Sequence, residues 1–349
     1  MEGEGHKVFV IDSIALNQTR EGFIEDLKEI KPDLIFFETS TPTIEEDIHL
    51  IEDIKKASSC LIVLAGTHAT VFPQEVMTSS KADYIIKGEY EFTLSELVRH
   101  LSLGEAVGDC KDILGLAYRK GGEVLINQGR GPIKPLDQLP SPAFHLFPQN
   151  ENNDLSYYWD GFCQYRPAVQ LHSSRGCPFK CNFCLWNQVM YANTGYRMFD
   201  AGRVVDEIEF VVLKFNAREV YFDDDSFTVD KNHVLGICEE IKKRGLKIKW
   251  SCMADAMCSD EDMIYAMADA GCIGMKFGVE SAEPKILKAV GKPLHVDKLK
   301  GLLRACAARR IKTHATFTFG LSEETKKSMV KTLEFAQSLD VDSVQFSIT

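Results

Sequence analysis

The feature that most constrains the fold is an alternation repeated six times between residue 166 and residue 349. Strand-length apolar runs fall at Ala168–Ser173, Glu219–Phe222, Ile248–Cys252, Gly274–Gly278, Thr313–Phe319 and Ser343–Ile348. Helical stretches follow the first five. Asp200–Phe215 sets Val204, Ile208, Val211 and Phe215 at helical spacing. Asp230 and Gly245 bracket the next helix as N-cap and C′ residue. Ser259 with Asp262 reads as a capping-box start, and Gly271 closes that helix. Strands that alternate with helices pair in parallel, because a parallel connection needs a crossover long enough for a helix. Six such units predict a partial TIM-type (β/α)6 barrel over 166–349.

The first hundred residues show the same grammar with different lengths. Lys7–Ile11, Leu34–Glu38, Leu61–Ala65 and Tyr84–Lys87 are near-continuous apolar runs, the pattern of strands buried on both faces. Glu21–Glu29 and Ile44–Lys56 lie between them as amphipathic helices. This order predicts an α/β domain over 1–104, a doubly wound, Rossmann-like parallel sheet. Ligands of such sheets sit beyond the carboxyl ends of the strands. Those ends carry Thr39-Ser40-Thr41, Gly66-Thr67-His68 and Gly88-Glu89. Leu116–Tyr118 and Val124–Ile126 flank Lys120-Gly121-Gly122, a predicted hairpin. Pro132, Pro135, Pro140, Pro142 and Pro148 then break regular structure, so 105–165 reads as hairpin plus surface linker.

Composition removes several function classes. The net charge is −11, which disfavours a protein gripping nucleic acid through its phosphates. No apolar run reaches the roughly 18 residues of a membrane span. Glu2 and Glu4 stand where a secretory signal would be basic, so the chain reads as cytoplasmic. Its 11 cysteines are odd in number and sparse, unlike a secreted disulfide scaffold.

Three of those cysteines cluster. SSRGCPFKCNFC, residues 173–184, spaces Cys177, Cys181 and Cys184 as C-x3-C-x2-C. Three thiolates on one loop can hold three irons of a four-iron cluster and leave the fourth open. A zinc site would want a fourth ligand, and Cys163 is the only nearby cysteine.

This cysteine loop, with Phe183 directly before Cys184, resembles that of the radical S-adenosylmethionine (SAM) superfamily. The GTHAT and KGEYEFTLSEL stretches extend the likeness to the subgroup with an N-terminal cobalamin-binding domain. The resemblance implies a [4Fe-4S] cluster on Cys177, Cys181 and Cys184, with SAM chelating the open iron. It implies SAM contacts from Phe183, from Asp223, Asp224 and Asp225 at one strand end, from Glu280 in GVESA, and from Gly320. Leu321-Ser322 stands where the family has Pro-Gly. For cobalamin it implies that Thr39, Ser40, Thr41, Gly66, Thr67, His68, Gly88 and Glu89 line the corrin. The D-x-H-x-x-G signature of a histidine beneath cobalt has one near match, Asp47 to Glu52, which lacks the Gly. His49 therefore reads as a surface residue, and cobalamin is expected without a histidine ligand. Measured against the family, the sheet is expected to lack its first strand and the barrel reads as cut short at Thr349.

The resemblance implies reductive cleavage of SAM to a 5′-deoxyadenosyl radical that abstracts hydrogen from substrate, for cobalamin-dependent methyl transfer to an unactivated carbon. Alternatives are cyclisation or rearrangement beside a remnant cobalamin domain, and a non-catalytic SAM- or cobalamin-binding module. Expected partners are a small-molecule, lipid or peptide substrate and an external one-electron reductant such as flavodoxin or ferredoxin. Trp186, Tyr191, Tyr196 and Arg197 follow the cluster loop as candidates for either pocket lining or packing.

Overall fold

The structure is a computed structural model that describes residues 1–104, 109–192 and 195–349. The expected boundary at 104/105 abuts residues outside that set. The chain divides into two compact units, 1–133 with 185–194, and 134–184 with 195–349.

In the first unit α1 (Arg20–Ile30) precedes β1 (Leu34–Glu38), α2 (Ile44–Ala57), β2 (Leu61–Ala65), α3 (Thr67–Val71), α4 (Pro73–Ser79), β3 (Tyr84–Ile86) and α5 (Glu91–Ser102). A hairpin of β4 (Leu116–Lys120) and β5 (Glu123–Ile126) follows. The sheet order is β1-β2-β3-β4-β5. β1, β2 and β3 are parallel, while β4 and β5 are antiparallel. The expected parallel sheet is thus mixed, because the hairpin pairs with β3 instead of standing apart.

Alternation along β2 explains helices on both faces. Ile62 and Leu64 meet Leu27, Ile51 and Ile54 of the preceding helices and Met77 of α4. Val63 and Ala65 face the other way, into a cluster with Leu97 of α5. The strand expected at Lys7–Ile11 does not form. Lys7 and Phe9 are exposed there, and the Lys7 ammonium lies 4.7 Å from the Phe9 ring centre. Val8, Val10 and Ile11 are half-buried and Ile11 packs on the core, but the run makes no strand pairing, so β1 is the edge.

The second unit contains β6 (Ala168–Leu171), a short pair β7 (Ser174–Arg175) and β8 (Arg197–Met198), α6 (Ala201–Phe215), β9 (Glu219–Phe222), α7 (Lys231–Lys243), β10 (Lys249–Ala254) and α8 (Glu261–Asp269). It continues with β11 (Cys272–Glu280), α9 (Pro284–Ala289), α10 (Val296–Ala308), β12 (Lys312–Phe319), α11 (Lys326–Ser338) and β13 (Ser343–Ile348). The six-stranded sheet runs β13-β12-β11-β10-β9-β6, parallel throughout. This is the expected (β/α)6 arrangement.

Local chemistry sets its punctuation. Asp200 caps α6 by accepting from Arg203 N, and Asp230 caps α7 by accepting from His233 N. Each such cap contributes about 1 kcal/mol. The cap of α8 is Asp260, which accepts from Met263 N, one residue beyond the expected Ser259. Ser259 is buried and donates instead to Asp255 O at 2.8 Å. Gly271 has φ +100, and a Cβ there would stand 2.3 Å from Ile248 O.

The proline-rich stretch is anchored rather than loose. Leu136, Leu139 and Leu155 are buried. The Phe144 ring meets Phe215 edge-on at 6.4 Å. Glu219 accepts from the backbone N–H groups of Gln164 and Tyr165 at 2.7 and 2.9 Å. Apolar residues between the prolines explain the anchoring.

Candidate active site

The cysteine loop leaves the carboxyl end of β6. Its start is pinned by two of the three aspartates after β9. Asp224 is 1% exposed and accepts from Ser173 N at 3.0 Å and from the Ser173 and Ser174 hydroxyls. Burial raises its carboxyl above the ordinary value, against those hydrogen bonds. Asp225 accepts from Gly176 N at 2.8 Å, one residue before Cys177. Burial raises it too. Gly176 has φ +87, and a Cβ there would lie 2.2 Å from Gly195 O. Asp223 alone of the three is exposed. Two of the aspartates expected to touch SAM therefore brace the cysteine loop, and Asp223 is the one with a free carboxylate. Arg197 is buried on β8, paired with Arg175 of β7, so it too belongs to this brace.

The far end of the loop rests on α9. Asn182 N donates to Val290 O at 3.0 Å, and its side chain donates to Ala289 O at 3.3 Å. Phe183 packs against Ile286, Val290 and Leu321. That contact gives a use for Leu321 in place of the family's proline. Gly320 has φ +91, and its N–H donates to Glu324 at 2.6 Å.

Burial pushes the Cys177 thiol up to about 12 and the Cys181 thiol up to about 11. Ligation must release those protons. Among the described residues no three metal-ligating side chains converge closely enough to hold an ion. The donor set itself, three thiols on one short loop, suits iron–sulfur ligation. Cys163 lies before β6 and the loop after it, so strand length separates them. Of the eight other cysteines, seven are buried and Cys258 is half-buried, all of them free thiols.

Beside the loop lies a charge network in which Asp255 and Lys292 join Glu280. Lys292 Nζ pairs with Asp255 Oδ2 at 2.8 Å, with the side chains 11% and 6% exposed. Burial works to lower the Lys292 ammonium, but the Asp255 and Glu280 carboxylates offset this and leave it above its ordinary value. Glu280 stands at the end of β11 with φ +68 and accepts from Thr318 Oγ1 at 2.7 Å. Burial raises its carboxyl, while Thr318 and Lys292 pull the other way. A Cβ on Gly278 would lie 2.8 Å from Glu280 Oε1, so that glycine makes room for the carboxylate. Asp255 follows β10 and Lys292 follows Gly291. The strand-end rule that selected Glu280 could have selected Asp255 as well.

In the first unit several expected corrin contacts serve the fold. Thr39 is buried and donates to Asp47 at 2.6 Å. A Cβ on Gly66 would meet Thr39 O at 2.4 Å, so this glycine is required by Thr39. Glu89 is buried and accepts from Ile133 N at 2.8 Å. Gly88 N donates to Thr70 Oγ1 at 3.0 Å, and a Cβ there would meet Met190 O at 3.4 Å. Ser40, Thr41, Thr67 and His68 keep accessible side chains. His68 Nδ1 lies 3.0 Å from Thr41 Oγ1. His49 is exposed on α2. Trp186 is exposed, with its ring 6.3 Å from the Tyr191 ring.

A family model described as the radical SAM superfamily matches residues 171–336. A protein 31% identical over 357 residues, described as an uncharacterized methyltransferase of Pyrococcus horikoshii, covers 100% of this chain, which spans 73% of that protein. The chain belongs to the radical SAM superfamily. A B12 binding domain model matches residues 1–98. An anaerobic magnesium-protoporphyrin IX monomethyl ester cyclase of Rubrivivax gelatinosus is 25% identical across 98% of this chain and 60% of its own length. Among solved structures, the radical SAM methyltransferase TsrM from Kitasatospora setae, with tryptophan and a SAM analog bound, superposes with a TM-score of 0.83. It is 20% identical and is matched over 99% of this chain and 68% of its own. Membership and the B12 domain together carry the cofactor set of a [4Fe-4S] cluster, SAM and cobalamin. No helix among the described residues is long and apolar enough to cross a membrane.

Proposed function

We propose that this chain transfers a methyl group to an unactivated carbon of a small organic substrate, by cobalamin-dependent radical SAM chemistry. The observation that carries the proposal is the pairing, in one chain, of the braced three-cysteine loop with a B12 domain. When bound, the cluster with SAM supplies a carbon-centred radical, and cobalamin supplies a transferable methyl group.

The protein's own groups position and shield. Cys177, Cys181 and Cys184 ligate the cluster. The Lys292 ammonium, held by Asp255, meets the carboxylate of SAM, and Glu280 accepts from its ribose hydroxyls. Asp223 accepts from its amino group. Phe183, wedged over Ile286 and Val290, holds the third cysteine in place. Ser40, Thr41, Thr67 and His68 line the corrin, with His68 turned toward Thr41 and not serving as a cobalt ligand. The reductant is a one-electron donor of flavodoxin or ferredoxin type. Free cysteines throughout fit a reducing, cytoplasmic compartment.

Iron and sulfide would be assayed after anaerobic reconstitution of single Cys→Ala variants. Loss of the cluster in variants of Cys177, Cys181 and Cys184, and retention in the Cys163 variant, is expected. Mass spectrometry with SAM labelled in its methyl group then tests transfer. A product formed without the label would favour cyclisation or rearrangement and refute methyl transfer.

A further inference from the structure

The six-stranded sheet carries a second group of polar side chains, away from the cysteine loop. Side chains alternate between the faces of a strand. On β11, Met275, Phe277 and Val279 join the core under the helices, so Gly274, Lys276, Gly278 and Glu280 share the other face. On β12, Ala315 and Phe317 join that core, so His314, Thr316 and Thr318 share the face of Lys276. Glu280 and Thr318 meet at the carboxyl end of this face. Lys276 and His314 each lie four residues earlier, about 13 Å down their strands. Between the two levels the Glu280 carboxylate lies over Gly278.

At that lower level a cavity of about 680 Å³ opens, bounded by the 160–165 segment, Lys276, Lys312, His314 and the start of β13. Phe162 forms its apolar wall, with its ring 5.7 Å from the His314 ring. The two carboxylates at the cavity are already engaged. Asp160 Oδ1 accepts from Phe162 N at 2.8 Å and from Lys276 at 2.9 Å. Asp342 accepts from Thr313 N at 2.8 Å.

Donors are left over. Lys276 has one ion-pair partner, with its ammonium also 4.6 Å from the Tyr221 and 5.4 Å from the Phe162 ring centre, and Lys312 makes no ion pair among the described residues. His314 is 9% exposed, with Nδ1 2.8 Å from Ser343 Oγ. Its Nε2 is buried, and Gln345 of the cavity lining is a further hydrogen-bond partner of the ring. Burial, with Lys276 nearby, lowers the His314 imidazole below its ordinary value and keeps it neutral.

We propose that this cavity is an anchoring subsite for an organic carboxylate, the acid end of the substrate whose reacting carbon lies up the barrel toward Glu280. Two lysines and two aspartates leave the cavity without net charge. A monoanion gains the ammonium donors of Lys276 and Lys312 there, whereas a phosphate dianion would bring a second charge against Asp160 and Asp342. The Phe162 wall suits an apolar body next to the acid. The link to substrate rests on the radical SAM reading of the upper site, but the carboxylate subsite does not.

Calorimetric titration of the full, reconstituted chain with 3-phenylpropionate, its amide and inorganic phosphate tests this. The acid should bind at millimolar concentration and the amide and phosphate should not. The acid's affinity should fall about tenfold or more in Lys276→Met, while SAM binds this variant as it binds the parent. Should Lys276→Met unfold, Lys312→Ala at the rim reads the same subsite. Equal binding of acid and amide, preference for phosphate, no binding of the acid, or parental affinity in the folded variants would each overturn the proposal. Loss of SAM binding by the parent, with the acid still bound, would refute the upper-site reading alone and leave the carboxylate subsite supported.

Discussion

Exchanging Lys292 for methionine isolates the charge at the centre of the proposed SAM site. The side chain keeps its length and its packing, and the ammonium goes. Asp255 is then left 6% exposed with no cation, keeping only the 2.7 Å hydrogen bond from Met257 N. Removing one partner of a buried ion pair costs about 3–5 kcal/mol, most of it the penalty of the stranded charge. In a unit of roughly two hundred residues, each kcal/mol lowers the melting temperature by about 2–4 °C, so a fall of about 6–20 °C is expected. Trp250, fully buried in this unit, reports the transition by fluorescence. The double variant Lys292→Met/Asp255→Asn strands no charge and should recover part of the loss. A single-variant loss under about 1 kcal/mol, or an equal loss in the double variant, would refute the reasoning. SAM titration of the same single variant should show weakening of roughly tenfold or more, since a charge-assisted bond contributes about 1.5–3 kcal/mol.

Three further outcomes follow from named contacts. Burial raises the Glu280 carboxyl above 4.5, so its contribution to stability is present below that value and is lost as pH rises through the folded value. Glu280→Gln should therefore gain on the parent as pH rises above 4.5, and urea midpoints that stay parallel across that window would contradict the assignment. Gly274→Ala puts a Cβ 2.7 Å from the Phe162 ring, so it should destabilise by about 1–3 kcal/mol in urea unfolding. Glu89→Ala removes the acceptor of Ile133 N and should cost about 1–3 kcal/mol, yet the protein should still retain hydroxocobalamin through desalting. In that retained form, the Co(II) resonance should lack nitrogen splitting, and splitting abolished by His68→Ala would show the histidine to be a cobalt ligand.

What the sequence alone determined is whatever local pattern encodes. Period-two runs and helical stripes located all six barrel strands, and the C-x3-C-x2-C spacing singles out the three proposed cluster ligands. Asp230 was identifiable as a cap because a cap acts within three residues. The Lys7–Ile11 run failed as a strand because its composition says nothing of whether a sheet edge awaits it. The hairpin was seen, but its pairing with β3 was not.

Only the tertiary structure decided how the polar residues divide their work. Asp223, Asp224 and Asp225 look alike in sequence. One is exposed while the other two hold the cysteine loop, because burial and the partners at Ser173 and Gly176 differ. Asp255 and Lys292 are 37 residues apart, and their pairing depends on β10 and the turn after α9 converging. Lys276 and His314 share one face only because β11 and β12 pair with Lys276 opposite His314. Register between strands is set by the packing of both, so no window of either strand alone contains it.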